Sequence, residues 1–337
     1  MNSTNNTPLK IFLTGATGYI GGTALTKLLD SSRKSKYDIT ILTRSEDTIP
    51  KFKELGVTPL IGDNNSTEIL TQAAKDADVV MHFANSADDL PSVKALIQGL
   101  NTNDGKRRIY IHTSGTSVIS DKALGSYASD KIYSDLDMES IHGLPITQPH
   151  KDVDAYVFEN SKNFDSIIVC PPTIYGEGAG PFKRRSIQIP ALIEGFIKAE
   201  KVGTLGKGLN IWSDIHADDL GNFYALLLEK ALEGKASTGK DGWYFCENGE
   251  HVWGDVVKKI AEALYKYGAI KNADLTEWPQ EDWNTFIGDW AWHSLASNAR
   301  SKADRARQLG WKPDEKNPKV LDTLEEEVRV ILEKQKK

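Results

Sequence analysis

The sequence predicts an α/β fold, a doubly wound parallel sheet with a smaller C-terminal domain. Three observations carry that expectation. A short apolar run, Ile11-Phe12-Leu13-Thr14, leads into Gly15, Gly18 and Gly21, spaced G-x-x-G-x-x-G, and then into an amphipathic run with Ala24, Leu25, Leu28 and Leu29. Strand-length apolar runs then alternate with helix-length runs up to residue 170. Beyond residue 175 the alternation gives way to longer helical patterns. Apolar strands separated by helices imply a parallel sheet covered on both faces.

The first element explains itself. In a strand–turn–helix, Gly15 allows the turn, Gly18 lets backbone approach a phosphate, and Gly21 lets helix and strand pack closely. The helix start offers unpaired N–H groups and partial positive charge to an anion, so this segment reads as a pyrophosphate cradle. Further strands are expected at 10–14, 38–42, 58–61, 79–83, 108–113 and 166–169, with helices at 67–76 and 91–100 between them. Residues 114–149 break the pattern: rich in Ser, Asp and Gly and ending in Gly143-Leu144-Pro145, they read as a long excursion over the crevice. A helix is expected at 189–198, then a turn carrying Gly203, Gly206 and Gly208. Leu220, Phe223, Tyr224, Leu227, Leu228 and Ala231 recur at helical spacing and form one buried face over 218–232. A strand at 243–246, a helix at 252–265, a cluster of Trp278, Trp283, Phe286, Trp290 and Trp292, and a charged helix at 319–334 complete the chain. The aromatic cluster reads either as a pocket lining or as the core of a small subdomain. The expected division is a disordered tail at 1–8, a nucleotide-binding domain at 9–175 and a mainly substrate-binding domain at 176–337.

Composition narrows the function. With 39% hydrophobic and 26% charged residues the chain reads as soluble and globular. A net charge of −6 without a basic run points to neither nucleic acid nor a membrane surface. Two cysteines, Cys170 and Cys246, and no secretory leader suit a reducing, cytoplasmic setting. Seven scattered histidines show no metal-ligand spacing, so no metal is expected.

Five segments resemble the short-chain dehydrogenase/reductase superfamily in its extended, epimerase/dehydratase-like form. They are Thr14-Gly15-Ala16-Thr17-Gly18-Tyr19-Ile20-Gly21, Val79-Val80-Met81-His82-Phe83-Ala84-Asn85, Ile111-His112-Thr113-Ser114-Gly115-Thr116, Val169-Cys170-Pro171-Pro172-Thr173-Ile174-Tyr175-Gly176 and Asp214-Ile215-His216-Ala217-Asp218-Asp219-Leu220. The resemblance implies a Rossmann domain for a nicotinamide dinucleotide and a small-molecule substrate. It implies cofactor contacts at Gly15, Thr17, Gly18, Tyr19, Ile20, Gly21, Asp63, Ala84, Asn85, Thr113, Pro171 and Thr173. It also implies subunit pairing through the helices at 91–100 and 148–163, the second carrying Val153, Tyr156, Val157 and Phe158, and hence a homodimer. Two departures mark an atypical member. The helix at 148–163 lacks the Tyr-x-x-x-Lys that supplies the family's proton donor and cofactor-positioning base. The usual catalytic Ser falls on Gly115.

After the second strand stands Arg44, flanked by Thr43 and Ser45, where an Asp would select NAD(H). A guanidinium there pairs with a 2′-phosphate, so NADP(H) is expected over NAD(H). Catalysis leaves three readings. Ser114, Tyr127 and Lys131 form one triad, although Tyr267 and Lys271 match the same spacing. His150 or Lys151 serves from the expected helix, with Lys151 holding the ribose and Ser114 or Thr116 orienting the substrate oxygen. Otherwise these are surface residues. Arg184 and Arg185, in the basic loop 180–186, read as a carboxylate or phosphate clamp or as a solvated turn. The expected function is an NADP(H)-dependent oxidoreductase acting on a small carbonyl or alcohol. The alternatives are a nucleotide-sugar epimerase/dehydratase and a non-catalytic NADP(H)-sensing regulator.

Overall fold

The structure is a computed structural model that describes residues 7–335, so most of the expected tail at 1–8 lies outside the described residues. The first elements are β1 (Leu9–Thr14), α1 (Tyr19–Asp30), β2 (Tyr37–Thr43), α2 (Ile49–Glu54), β3 (Thr58–Ile61), α3 (Thr67–Asp76), β4 (Val79–His82), α4 (Leu90–Leu100) and β5 (Arg108–Thr113). The excursion follows with β6 (Tyr133–Ser134) and α5 (Met138–His142), then α6 (Lys151–Asn160), β7 (Phe164–Cys170) and β8 (Thr173–Tyr175). Next come α7 (Gln188–Ala199), β9 (Val202–Thr204), β10 (Ile211–His216), α8 (Ala217–Leu232), β11 (Trp243–Phe245), β12 (Gly249–Val252) and α9 (Trp253–Lys266). The last are β13 (Leu275–Glu277), α10 (Gln280–Phe286), α11 (Asp289–Ser294), β14 (Ser301–Lys302), α12 (Asp304–Gln308) and α13 (Val320–Gln335).

Seven strands form one parallel sheet in the order β11-β7-β5-β4-β1-β2-β3. All residues of β4 and β5 are buried, as strands covered on both faces require. The strand order reverses between β1 and β4, which opens a crevice above their C-terminal ends. The doubly wound expectation is met, and the candidate site residues before Gly176 lie between or after these strands, except Thr113, which ends β5.

The division at residue 175 is crossed in both directions, since β8, ahead of it, pairs with β10 in the lobe sheet. Helix α8 packs on α1, and β11 joins the large sheet beside β7. What remains of the C-terminal part is a lobe built on the sheet β12-β10-β8 with α7, α9 and α13. Its aromatics are core: Trp278 and Trp283 are buried, edge-on to each other and to Phe196. The excursion after β5 is tied to this lobe. Asn298 is hydrogen-bonded to Asp121 and Tyr127, and Asp135 accepts from the amides of Phe245 and Arg305.

Helices α4 and α6 pack against each other, and the apolar side chains of the expected seam make contacts within the subunit. Val153 and Val157 are buried, Phe158 stacks on Trp243, and Lys94 covers the Tyr156 ring. No exposed large hydrophobic side chain lies on either helix.

Helices α3 and α4 meet at Gly99, where a Cβ would collide with the Thr71 carbonyl and lie 3.0 Å from the Lys75 amide. Backbone atoms on the facing helix cannot swing aside. Gly99→Ala gains about 1 kcal/mol of helix propensity, but overpacking costs about 1–3 kcal/mol. Urea unfolding should therefore show net destabilisation, against the gain expected at a free helical position.

Candidate active site

Between β1 and α1 the chain turns at Gly15, which has φ +76°. A Cβ on Gly21 would lie 2.5 Å from the Gly15 carbonyl oxygen, so helix and strand approach as bare backbone. Gly18 caps α1 without a side-chain hydrogen bond, and the first turn holds no acidic residue. The amides of Tyr19 and Ile20 therefore face the crevice with no partner among the described residues. This uncapped, uncharged helix start fits a pyrophosphate. The Tyr19 hydroxyl is not part of the cradle, because it donates to the Gly176 carbonyl at 2.6 Å.

Around the crevice the expected cofactor contacts fall in order. Arg44 is exposed after β2 with no ion partner among the described residues. Thr43 is buried, and its hydroxyl is taken by Thr48 at 2.7 Å, which leaves Ser45 and Arg44 on the rim. Asp63 caps its own turn, accepting from the Asn65 amide and the Ser66 hydroxyl, and these bonds hold its carboxyl low. After β4, the Phe83 and Ala84 amides donate to the Thr14 hydroxyl. That hydroxyl must then donate to His82 Nδ1, 2.7 Å away, which fixes a neutral imidazole. Burial also pushes His82 down, to about 4. Asn85 takes φ +50°, turning the chain toward Asp88. Thr113 is hydrogen-bonded to Tyr224 at 2.7 Å, and Pro171 and Thr173 are buried behind it.

The candidate proton-transfer group is His150. It stands just ahead of α6 at φ +68°, a conformation costing a non-glycine residue about 1–2 kcal/mol. Such strain is held where the surroundings demand it. Its Nδ1 meets Asp88 Oδ1 at 2.7 Å. Its Nε2 lies 3.2 Å from where a Cβ on Gly115 would be, so any side chain at 115 would press on the ring. Burial pushes the imidazole down, but the hydrogen bond and charge of Asp88, with Asp154 and Asp152 behind, outweigh it and leave His150 raised. The dyad can hold a proton and deliver it at Nε2.

The other catalytic candidates divide. Ser114 stays at the site, donating to Asp154 Oδ2 at 2.9 Å. Lys151 leaves it: the ammonium is buried and donates to the Ile141 carbonyl at 2.9 Å, so it does not serve the ribose. Tyr127 and Lys131 are exposed in the excursion, with Lys131 over the Tyr133 ring, and nothing joins them to Ser114. Arg184 is taken by Glu177 and the Gly178 carbonyl, and Arg185 by the buried Glu327, so neither is a free clamp. Two residues escaped the sequence reading. Nothing in the sequence around Asp88 marks it, since its partner His150 is 62 residues away. Asp154 sits four positions after His150, the spacing of the absent Tyr-x-x-x-Lys, and that spacing was the available signal.

Asp154 is fully buried beneath the crevice. Its Oδ1 has no hydrogen bond and lies 3.7 Å from the equally unpartnered His112 Nε2. Burial pushes its carboxyl up to about 7, against the Ser114 hydrogen bond, while burial drives His112 down. A carboxyl raised from 3.8 to about 7 binds its proton in the folded chain where the unfolded chain has lost it. Its contribution to stability is therefore present below the unfolded value and lost as pH rises through about 7. Asp154→Asn should remove that loss. Chemical unfolding at pH 5 and pH 8 should show the variant gaining on the wild type as pH rises, by up to about tenfold per unit.

No helix among the described residues is long and apolar enough to cross a membrane, and no group of three or more metal-ligating side chains occurs among them. The NAD(P)H-binding family profile matches residues 15–202. A protein described as oxidase ucsJ, from an Acremonium species, is 31% identical over 97% of both chains. Among solved structures, UDP-glucose 4-epimerase from Thermotoga maritima aligns over 98% of this chain and 100% of its own, at 13% identity and TM-score 0.63. Vestitone reductase from alfalfa aligns over 97% and 99%, at 15% identity and TM-score 0.56. These structures share the fold. With its glycine cradle, reversed strand order and matching profile, the chain belongs to the NAD(P)H-binding family.

Proposed function

We propose that this protein is an NADP(H)-dependent oxidoreductase that interconverts a carbonyl and an alcohol on a small organic substrate, with His150 as the proton donor. The observation that carries the reading is the Asp88–His150 pair, set across the crevice between the end of β4 and Gly115. The nicotinamide, when bound, supplies or accepts the hydride. His150 Nε2 gives up the proton, Asp88 holds the ring by Nδ1, and Ser114 anchors Asp154 behind it. Gly15, Thr17, Gly18, Tyr19, Ile20 and Gly21 would hold the pyrophosphate by backbone, and Ala84 and Asn85 would border the nicotinamide ribose. Arg44 supports NADP(H), because an exposed guanidinium without a partner matches a 2′-phosphate. Part of 176–337, the lobe on β8, β10 and β12, would close the substrate side. A relative described as an oxidase and structural neighbours described as reductases agree with redox chemistry.

A panel of small aldehydes and ketones, followed by NADPH consumption, supplies the assay. His150→Ala should lower kcat by about 10²–10⁴-fold. Asp88→Asn removes what holds the imidazole up, so the alkaline fall-off of kcat should move to lower pH. Lys151→Ala and Tyr127→Phe should leave kcat close to wild type. A large loss in Tyr127→Phe with none in His150→Ala would sink the assignment.

A further inference from the structure

The segment 176–187, between β8 and α7, is strapped onto the cradle. Tyr19 Oη donates to the Gly176 carbonyl at 2.6 Å, and Thr26 Oγ1 to Ala179 at 3.1 Å. The Lys183 amide donates to the Thr17 carbonyl at 3.3 Å, inside the glycine turn itself. Phe182 packs on Phe52 of α2, with ring centroids 5.2 Å apart. The fit depends on missing side chains. A Cβ on Gly178 would lie 2.7 Å from Thr23 Oγ1, and one on Gly180 would lie 3.0 Å from the Gly22 backbone. The strap therefore crosses α1 and the turn backbone to backbone, and reaches the helix that follows Arg44.

Three consecutive cations ride on it, and two are spent. Arg184 pairs with Glu177, and Arg185 pairs with Glu327 at 2.6 Å. Lys183 is exposed, with no ion pair or side-chain hydrogen bond among the described residues. Arg44, on the other flank of the turn, is in the same condition. Two unpaired cations thus border a cradle whose own helix start carries no acidic side chain.

We propose that Lys183, delivered by the strap, is the second cation of the cofactor's 2′-phosphate site, opposite Arg44. The inference rests on the NADP(H) reading above and adds a specificity residue from beyond the nucleotide-binding half. A phosphate monoester carries about −1.5 to −2 charges at neutral pH, more than one guanidinium neutralises. Arg44 offers a planar fork and Lys183 a point charge, and the two donor sets are compatible on one phosphate. NADH lacks the group that both would grip.

The test is titration of the full chain with NADPH and with NADH, read by reduced-nicotinamide fluorescence. Lys183→Ala should weaken NADPH about ten-fold, the worth of one charge-assisted contact, and leave NADH unchanged. Lys183→Arg should keep the NADPH affinity. Thermal unfolding of the apo variants checks that the strap still docks. If Lys183→Ala weakens both dinucleotides equally, or neither, the proposal fails. If Arg44→Ala still lowers NADPH alone, the NADP(H) reading survives that failure. A wild type that binds both dinucleotides equally overturns the NADP(H) reading and the proposal together.

Discussion

Everything in this molecule leans on one helix that has shed its side chains. Helix α1 touches the sheet through Gly21, the strap through Gly22 and, through Thr23, the neighbouring Gly221 of α8. At each contact a Cβ would fall within about 3.2 Å of other atoms, mainly backbone at Gly21 and Gly22 and the Thr23 and Lys27 side chains at Gly221. Close approach on three sides fixes the helix axis, and its N-terminus then aims its free amides at a single point. The same contacts join the lobes, because α8 and the strap both belong to the C-terminal half of the chain. Cofactor cradle and lobe junction are therefore one structure, and a larger side chain on α1 would disturb both.

Above the cradle, three substitutions relative to the superfamily's usual machinery make sense only together. An imidazole at 150 reaches less far than a phenol and needs its ring where a serine side chain would otherwise stand. Gly115 clears that space. Asp88 then replaces the cation as the group that sets the proton's affinity, acting on the opposite ring nitrogen. At the place of the lysine is Asp154, which points inward to Ser114 rather than outward to a ribose. Changing any one alone would leave a clash, an unoriented ring or an unpaired buried charge.

The fold was legible because its signals are local. Strand–turn–helix at Gly15–Gly21, the apolar strands and the 218–232 face each follow from spacing along the chain. The return of β11 to the large sheet was not, since nothing in Trp243–Phe245 states which sheet it joins. Gly15, Arg44, Ser114 and His150 were legible as site candidates, because strand ends and helix starts place them. Lys151 misled, since a lysine beside His150 reads as a ribose ligand until α5 offers it the Ile141 carbonyl. Arg184 and Arg185 stayed open between clamp and solvated turn, because Glu327 is some 140 residues away and only the fold brings it to Arg185. Asp88 escaped because its partner is 62 residues distant.

The buried layer under the crevice explains why a carboxylic acid is tolerated at the position where the Tyr-x-x-x-Lys spacing would put a lysine. His82, Tyr110, His112, Ser114 and Asp154 form a contiguous polar layer with almost no access to water. A lysine there would stand beside two imidazoles that already resist protonation, and its charge would have no carboxylate to meet. Burial pushes the acid up and the imidazoles down, so in neutral solution the layer carries little net charge. Uncharged groups cost far less to bury than an isolated ion. The charge the site needs is moved to its rim, where Asp88 and His150 share a proton within reach of solvent. Under the proposed assignment, a proton donor at the rim would be recharged from water directly, without a relay through the cofactor's ribose and a lysine. That arrangement frees position 154 from catalysis and leaves it the structural task of keeping Ser114 in place.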